Sequence, residues 1–286
     1  MEDISFNTDD NIALPATLFE SNAGLPGKGS LVLISSAMGT PRKYYRHFAQ
    51  YMADNGARAV MTYDYRCVGD QTDSAHCKAT KMSDWALRDF PAAVRSIVER
   101  YPEHHLSGLG HSFGGQAFGL SGTAEKFDRY MTLSSGSGFL GHMKEPEKLG
   151  FRLNRIAYPI SLILRHVAIG DEFKTKVPFG IFNQWRNWSN SHDYFMSDQS
   201  LPETRRFADV HIPIMSVGFE DDPYATLPAV EALMAWYARA DVRLRWFTLE
   251  DTHDKPIGHD GFFKPEHRET LWPQISDWLV REGNIA

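Results

Sequence analysis

The stretch Leu106-Ser107-Gly108-Leu109-Gly110-His111-Ser112-Phe113-Gly114-Gly115-Gln116 joins a short apolar run to a Gly-x-Ser-x-Gly pattern and then to small and apolar residues. This order predicts a strand, a sharp turn and a helix. A serine on such a turn has strained backbone angles and an outward-pointing hydroxyl, and it requires small residues two positions before and after it. Gly110 and Gly114 meet that requirement, so Ser112 is the candidate nucleophile.

The rest of the chain alternates short apolar runs with segments of helical spacing, which predicts an α/β fold with a mostly parallel central sheet. The predicted strands are Ile4–Phe6, Ile12–Phe19, Leu31–Ile34, Ala59–Tyr63, Leu106–Gly110, Phe127–Ser134, Ile214–Val217 and Arg243–Leu249. The predicted helices are Pro41–Asn55, Ser83–Arg100, Thr226–Ala238 and Pro265–Arg281, with Ser112 preceding a further one. Residues 137–207 break this alternation. They are interpreted as an insertion at the carboxyl edge of the sheet, between core segments 1–136 and 208–286.

A serine hydroxyl needs a base and a carboxylate that orients the base, in the chain order Ser, Asp or Glu, His. The cluster Glu220-Asp221-Asp222 follows a predicted strand, and Asp222 precedes a Pro-Tyr-Ala-Thr turn, so Asp222 is preferred as the acid with Asp221 as the alternative. After the last strand, His259 and His253 compete as the base. His259 is preferred because glycines suited to a tight loop flank it and the final helix follows. A metal site in this segment lacks ligand spacing of the helical HExxH kind, and none is predicted.

An oxyanion intermediate needs two backbone N–H donors. The first is predicted from Phe113, which opens the helix after Ser112 and whose N–H therefore has no helical partner. The second is predicted from Met38, in the loop Ser35-Ser36-Ala37-Met38-Gly39 after the strand Leu31–Ile34. A backbone donor does not depend on the side chain, so Ser36-Ala37 can replace the His-Gly pair common at this place.

Composition narrows the class of protein. The chain has 286 residues, 42% of them hydrophobic, and a net charge of −6, which argues against a nucleic-acid or anionic-membrane partner. It has no apolar run of membrane-spanning length, and its first residues, Met1–Ser5, lack a basic region followed by an apolar run, so a secretory signal is not expected. The two cysteines, Cys67 and Cys77, therefore predict reduced thiols in a cytoplasmic protein, with a disulfide as the minor alternative. The oligomeric state is not readable from the sequence.

Several segments spread along the chain resemble the α/β-hydrolase superfamily, and more narrowly a group of bacterial predicted hydrolases near the serine aminopeptidase and monoacylglycerol lipase branch. They are Ala37-Met38-Gly39, Thr62-Tyr63-Asp64-Tyr65-Arg66, Gly110-His111-Ser112-Phe113-Gly114-Gly115-Gln116, Gln184-Trp185-Arg186-Asn187-Trp188, Asp221-Asp222-Pro223-Tyr224 and Gly258-His259-Asp260-Gly261-Phe262-Phe263. The resemblance implies a triad of Ser112, Asp222 or Asp221, and His259, and a helical cap formed by 137–207. One departure is Cys67, where the family pattern has a glycine. If that glycine is left-handed in relatives, Cys67 is strained or adopts another conformation, and a buried packing role is preferred for it over a pocket role.

These features predict a serine hydrolase that cleaves a carboxylic ester of small or medium size through an acyl-enzyme, without a cofactor. The partner is a small acyl substrate, and aromatic cap residues, Trp185 and Trp188 among them, are predicted to line its pocket. The same site could serve a thioester, lactone, amide or peptide, or transfer the acyl group instead of hydrolysing it. The alternative from another class is a non-catalytic ligand-binding protein on the same fold, which the complete predicted triad disfavours.

Overall fold

The computed structural model describes residues 1–21, 29–72, 74–169, 175–252 and 255–280. Within these ranges, eight strands form one sheet in the order β1-β2-β4-β3-β5-β6-β9-β10, and β7 and β8 form a separate hairpin. The strands are β1 (Glu2–Asn7), β2 (Ala13–Phe19), β3 (Leu31–Ser35), β4 (Ala59–Tyr63), β5 (Leu106–His111), β6 (Arg129–Leu133), β7 (His166–Ile169), β8 (Thr175–Pro178), β9 (Ile214–Phe219) and β10 (Val242–Phe247). Only the pairings of β2 with β1 and β4 are antiparallel in the large sheet, which confirms the predicted mostly parallel α/β architecture.

Helices flank this sheet and follow the predicted positions with shorter bounds. They are α1 (Arg46–Asp54), α2 (Met82–Asp84), α3 (Phe90–Arg100), α4 (Phe113–Ser121), α5 (Pro146–Phe151), α6 (Tyr158–Leu164), α7 (Phe179–Ser189), α8 (Leu227–Met234) and α9 (Trp272–Val280). A π-helical turn, Trp85–Asp89, joins α2 to α3, so the predicted helix Ser83–Arg100 is continuous but not regular. Arg281, the predicted end of the last helix, lies outside the described residues.

Burial on both faces explains why β3 and β4 are continuous apolar runs. Every residue of the two strands is buried. Successive side chains of a strand point to opposite faces. Leu31 and Leu33 accordingly belong to one apolar core, and Val32 and Ile34 to the other. The sheet therefore separates two cores, each covered by helices, and the loops at its carboxyl edge are left to form a site.

The inserted segment contains more than the predicted helical pieces. Another π-helical turn, Arg152–Ala157, joins α5 to α6, and the hairpin of β7 and β8 separates α6 from α7. The hairpin was not predicted because its strands have only four residues each. The division into a core of 1–136 and 208–286 and a cap of 137–207 stays a prediction. No helix among the described residues is long and apolar enough to span a membrane.

The prediction of reduced thiols is wrong, because Cys67 and Cys77 form a disulfide in the structure. Two short 3₁₀ turns, Gly69–Gln71 and Ala75–Lys78, fold the intervening chain back and bring the two Cα atoms to 5.6 Å. The sequence separation alone carried no sign of this approach. A cytoplasmic location loses the support it drew from free thiols and stays a prediction. Cys67 is buried and keeps a left-handed backbone with φ 65°, so here a disulfide-bonded residue occupies the conformation that usually favours glycine.

Candidate active site

The turn between β5 and α4 holds Ser112 in the predicted strained conformation. Its φ of 52° and ψ of −112° lie outside the regions that non-glycine residues ordinarily occupy. The neighbouring glycines are required by close packing. A Cβ on Gly110 would collide with the backbone of Gly114, and one on Gly114 would collide with the backbone of Ser35 at the end of β3. The Gly-x-Ser-x-Gly pattern therefore brings the serine turn into backbone contact with the loop that follows β3.

The structure brings Ser112, His259 and Asp222 together at the carboxyl edge of the sheet. Ser112 Oγ lies 2.9 Å from Nε2 of His259. Nδ1 of the same imidazole lies 2.8 Å from Oδ2 and 3.0 Å from Oδ1 of Asp222. A carboxylate can only accept, so Nδ1 carries a proton and Nε2 of the neutral ring is free to accept the hydroxyl proton of Ser112.

The two adjacent aspartates have different contacts. Asp222 is fully buried and its Oδ1 also accepts the backbone N–H groups of Tyr224, at 2.8 Å, and Ala225, at 2.9 Å. Asp221 instead accepts the N–H groups of Ile257 and Gly258, each at 2.8 Å, with its Oδ2. Asp222 therefore contacts the imidazole, whereas Asp221 fixes the backbone just before it. The competing histidine, His253, lies outside the described residues.

Contact between His259 and Asp222 favours the charged form of each side chain. Burial disfavours the imidazolium of His259, but the charge of Asp222 and its hydrogen bond outweigh that effect and raise the pKa of His259 above its usual value. Burial likewise disfavours the carboxylate of Asp222, but His259 and the backbone donors prevail and lower its pKa. A base with a raised pKa accepts a proton more readily in the transition state.

The predicted oxyanion donors belong to loops that are neighbours in the sheet. β3 and β5 pair in parallel with Ser35 opposite Gly110, so the loop carrying Met38 and the turn carrying Phe113 leave the same edge side by side. Phe113 is the first residue of α4, so its N–H precedes the helical hydrogen bonds. Gly39, with φ 74°, turns the chain after Met38 toward α1. The assignment of both N–H groups as oxyanion donors stays a prediction.

A buried hydrogen-bonded relay, formed by Tyr45 and His111, joins the loop that follows β3 to the loop that carries His259. The N–H of Ala37 donates to Tyr45 Oη at 2.9 Å, and Tyr45 Oη lies 2.9 Å from His111 Nδ1. His111 Nε2 lies 2.9 Å from the carbonyl oxygen of His259. Both relay side chains are fully buried.

The ends of the relay and the burial of His111 together assign its protons. The His259 carbonyl can only accept, so His111 donates from Nε2. Burial lowers the pKa of His111 to about 4, so the ring is neutral and Nδ1 carries no proton. Nδ1 therefore accepts the Tyr45 O–H, while Tyr45 Oη accepts the Ala37 N–H. Sequence reasoning assigned no functional role to His111. The sequence signal for a role near the active site was its position in Gly110-His111-Ser112, directly before the candidate nucleophile.

The two cap tryptophans predicted to touch substrate have different surroundings. Trp188 is buried, its indole N–H donates to Asp198 at 2.8 Å, and its ring packs on Tyr194 and Phe195. These contacts give it a packing role and do not support a substrate contact. Trp185 is partly buried beside the core, and its pocket role stays a prediction. At the site itself, the half-exposed ring of Tyr224 lies edge-on to His259 with 5.2 Å between ring centroids.

The sheet order, the serine turn and the Ser-His-Asp cluster define the class of fold as that of the α/β hydrolases. The sequence agrees, since residues 31–268 match the profile of the alpha/beta hydrolase family, and the chain belongs to that family. No curated protein sequence matches the chain significantly.

Solved structures of low sequence identity share this fold. An esterase from Pyrococcus furiosus is 15% identical with a TM-score of 0.64, the match covering 97% of this chain and 90% of the other. A monoacylglycerol lipase from Paleococcus ferrophilus is 16% identical with a TM-score of 0.59, covering 94% of this chain and 98% of the other. The esterase domain of a Rhodothermus marinus protein is 12% identical with a TM-score of 0.55, and the match covers 96% of this chain and 97% of the other. At these identities the likeness concerns the fold.

Proposed function

We propose that this protein is a serine hydrolase that cleaves carboxylic esters of small or medium size. The observation that carries the proposal is the continuous contact from Ser112 Oγ through the His259 imidazole to the buried carboxylate of Asp222. The esterase and lipase names of structurally similar proteins point to the same reaction class. A ligand-binding protein without catalysis would have no use for a strained serine hydrogen-bonded to an oriented imidazole.

In the proposed mechanism, Ser112 Oγ attacks the ester carbonyl carbon while His259 Nε2 takes the hydroxyl proton. Asp222 holds the Nδ1 proton and stabilises the imidazolium without taking that proton. The carbonyl oxygen becomes an oxyanion that accepts the N–H groups of Met38 and Phe113. The intermediate collapses, the C–O bond to the alcohol breaks, and the imidazolium returns its proton to the leaving alkoxide.

Water completes the cycle. It attacks the acyl-enzyme while His259 Nε2 takes one of its protons, and the second intermediate releases the carboxylic acid as that proton returns to Ser112 Oγ. A thioester, a lactone or an amide passes through the same tetrahedral intermediate, so the triad defines the mechanism and the pocket selects the substrate. Transfer of the acyl group to an alcohol differs only in the nucleophile of the second half.

The test compares Ser112→Ala with Ser107→Ala. Ser107 is a fully buried serine in β5 whose hydroxyl has no hydrogen-bond partner among the described residues, so its loss tests folding but not chemistry. We expect wild type and Ser107→Ala to hydrolyse p-nitrophenyl esters and to react with a fluorophosphonate probe, and Ser112→Ala to do neither. Retained labelling of folded Ser112→Ala would refute the proposal. A panel of esters, thioesters and amides then ranks the substrate classes.

A further inference from the structure

One side of the inserted segment carries an unusual concentration of exposed apolar side chains. We call the solvent-facing side of residues 151–165 the cap face. It runs from the end of α5 through the π-helical turn and α6. Its exposed apolar side chains are Phe151, Ile156, Ile160, Leu162, Ile163 and Leu164, with Ile163 81% exposed. Apolar side chains scattered singly on a surface need no explanation, but six exposed ones within a stretch of 15 residues mark an interaction surface.

The same face is positively charged. Arg152, Arg155 and Arg165 are exposed on it, and residues 151–165 contain no Asp or Glu. Among the described residues, no ion pair involves any of the three arginines. The whole chain has a net charge of −6, so the cap face reverses the overall sign locally.

A cavity of about 640 Å³ opens between this face and α7. Its lining is Gly150, Phe151, Asn154, Arg155, Tyr158 and Arg186, with no carboxylate among them. The Arg186 guanidinium lies 3.9 Å from the centre of the Tyr158 ring, and its Nε is buried without a hydrogen-bond partner among the described residues. Two guanidinium groups beside an unoccupied volume suit an oxyanion such as a phosphate.

We propose that the cap face docks on an anionic phospholipid surface, with lipid phosphates at the Arg155–Arg186 cavity. A helical segment with Phe, Ile and Leu beside Arg is typical of interfacial binding, because the apolar side chains enter the acyl boundary while the guanidinium groups stay with the headgroups. A second copy of this chain fits less well. A symmetric contact would set each face against itself and bring arginines together without a compensating acid.

The docking does not depend on the proposed hydrolase activity, so it is tested in the full-length Ser112→Ala chain, which leaves lipids intact. Co-sedimentation with vesicles of phosphatidylcholine alone is compared with vesicles that also contain phosphatidylglycerol. Each basic side chain near an anionic surface contributes about fivefold in partition, or about 1 kcal/mol. We expect at least tenfold stronger binding to the anionic vesicles, and weaker binding as salt increases.

Two sets of variants separate the apolar contribution to vesicle binding from the electrostatic one. Ile160→Glu with Ile163→Glu should remove binding, and Arg152→Ala with Arg155→Ala should lower it roughly 25-fold on anionic vesicles only. Leu244→Glu and Arg239→Ala are matched controls, since Leu244 is 47% exposed against 46% for Ile160 and both residues lie outside the cap face. Circular dichroism verifies folding.

Any of four outcomes would overturn the proposal. One is equal binding to neutral and anionic vesicles, or an equal loss in the control variants. Another is a dimer by light scattering that Ile160→Glu with Ile163→Glu converts to monomer while no form binds vesicles, which would assign the face to a second copy. The last is binding of inorganic phosphate by calorimetry, lost in Arg155→Ala, in a chain that does not bind anionic vesicles, which would indicate a site for a free anion.

Discussion

Removal of the Tyr45 hydroxyl tests whether the buried relay positions the reacting groups. Tyr45→Phe keeps the ring and deletes the only atom that joins the Ala37 N–H to His111 Nδ1. Both groups are then buried without a partner, and each such group costs about 1–3 kcal/mol, so the free energy of unfolding should fall by roughly 2–6 kcal/mol. The perturbation also releases the loop next to Met38 and leaves Nδ1 of His111 without a donor, while Nε2 still donates to the His259 carbonyl.

The activity change has an upper bound. Complete loss of one oxyanion donor costs about 100- to 1000-fold in kcat. The loop keeps its other contacts, including the packing of Gly114 on Ser35, so a partial displacement and a fall of roughly 10- to 30-fold in kcat are expected, with KM little changed, because the donor acts mainly in the transition state. Kinetics with a p-nitrophenyl ester measure the fall in kcat, and urea unfolding measures the fall in the free energy of unfolding. The nitrogen-15 shifts of His111 report its tautomer.

Tyr237→Phe is the matched control. Tyr237 is also buried, and its hydroxyl donates to the Gly115 carbonyl at 3.0 Å, inside a helix and away from both loops. It should lose stability without a comparable loss of kcat. If Tyr45→Phe lowers kcat no more than Tyr237→Phe does, the relay has no positioning role and the reasoning fails.

Three further changes follow from the geometry of the site and its surroundings. Asp222→Asn should lower kcat about 10³- to 10⁴-fold, a size typical of a triad acid, and should move the acid limb of the residual kcat/KM profile to lower pH, because the charge that raises the pKa of His259 is gone; an unmoved limb would contradict this. Reduction of the Cys67–Cys77 disulfide should lower the free energy of unfolding by roughly 3 kcal/mol, as expected for a loop of this length, whereas Cys67→Ser with Cys77→Ser should not respond to reductant; equal urea midpoints with and without reductant in wild type would refute it. Gly114→Ala should abolish the esterase activity and destabilise the protein, since the added Cβ meets backbone, and a fully active variant would show that this packing is not required.

The serine turn could be predicted from sequence because its constraints are local. Gly110 and Gly114 are needed within two residues of Ser112, and the strand and helix on either side have their own periodicity. The positions of Asp222 and His259 followed from a second regularity, because the ends of parallel strands meet at one edge of the sheet. Between Asp221 and Asp222 the sequence could only prefer one. The structure brings Asp222 to the imidazole and Asp221 to the backbone before it, and that difference arises from the direction in which two neighbouring side chains point.

The features that sequence reasoning missed depend on contacts between distant segments. Tyr45 and His111 are 66 positions apart, and either one alone has the pattern of an ordinary buried residue. Cys67 and Cys77 meet because two short turns fold back the chain between them, and turns of that kind have little hydrophobic periodicity. A buried hydrogen bond or a disulfide needs its two partners in register, and that register comes from the packing of whole elements.

The effect of charge on binding also depends on where the charged residues lie in the folded chain. A net charge of −6 predicts that a protein avoids anionic surfaces only when its charges are evenly distributed. In this chain the acidic residues lie elsewhere, and residues 151–165 combine three arginines with the exposed apolar side chains of the cap face. Screening confines the influence of a charge to about 8 Å at physiological salt, so a surface that meets the cap face responds to these arginines and to the charges of α5 beside them, where Lys148 pairs with Glu145 and leaves Glu147 as the one uncompensated acid among the described residues of that helix. The charge of the contacting face, and not that of the chain, decides whether the face attracts an anionic bilayer.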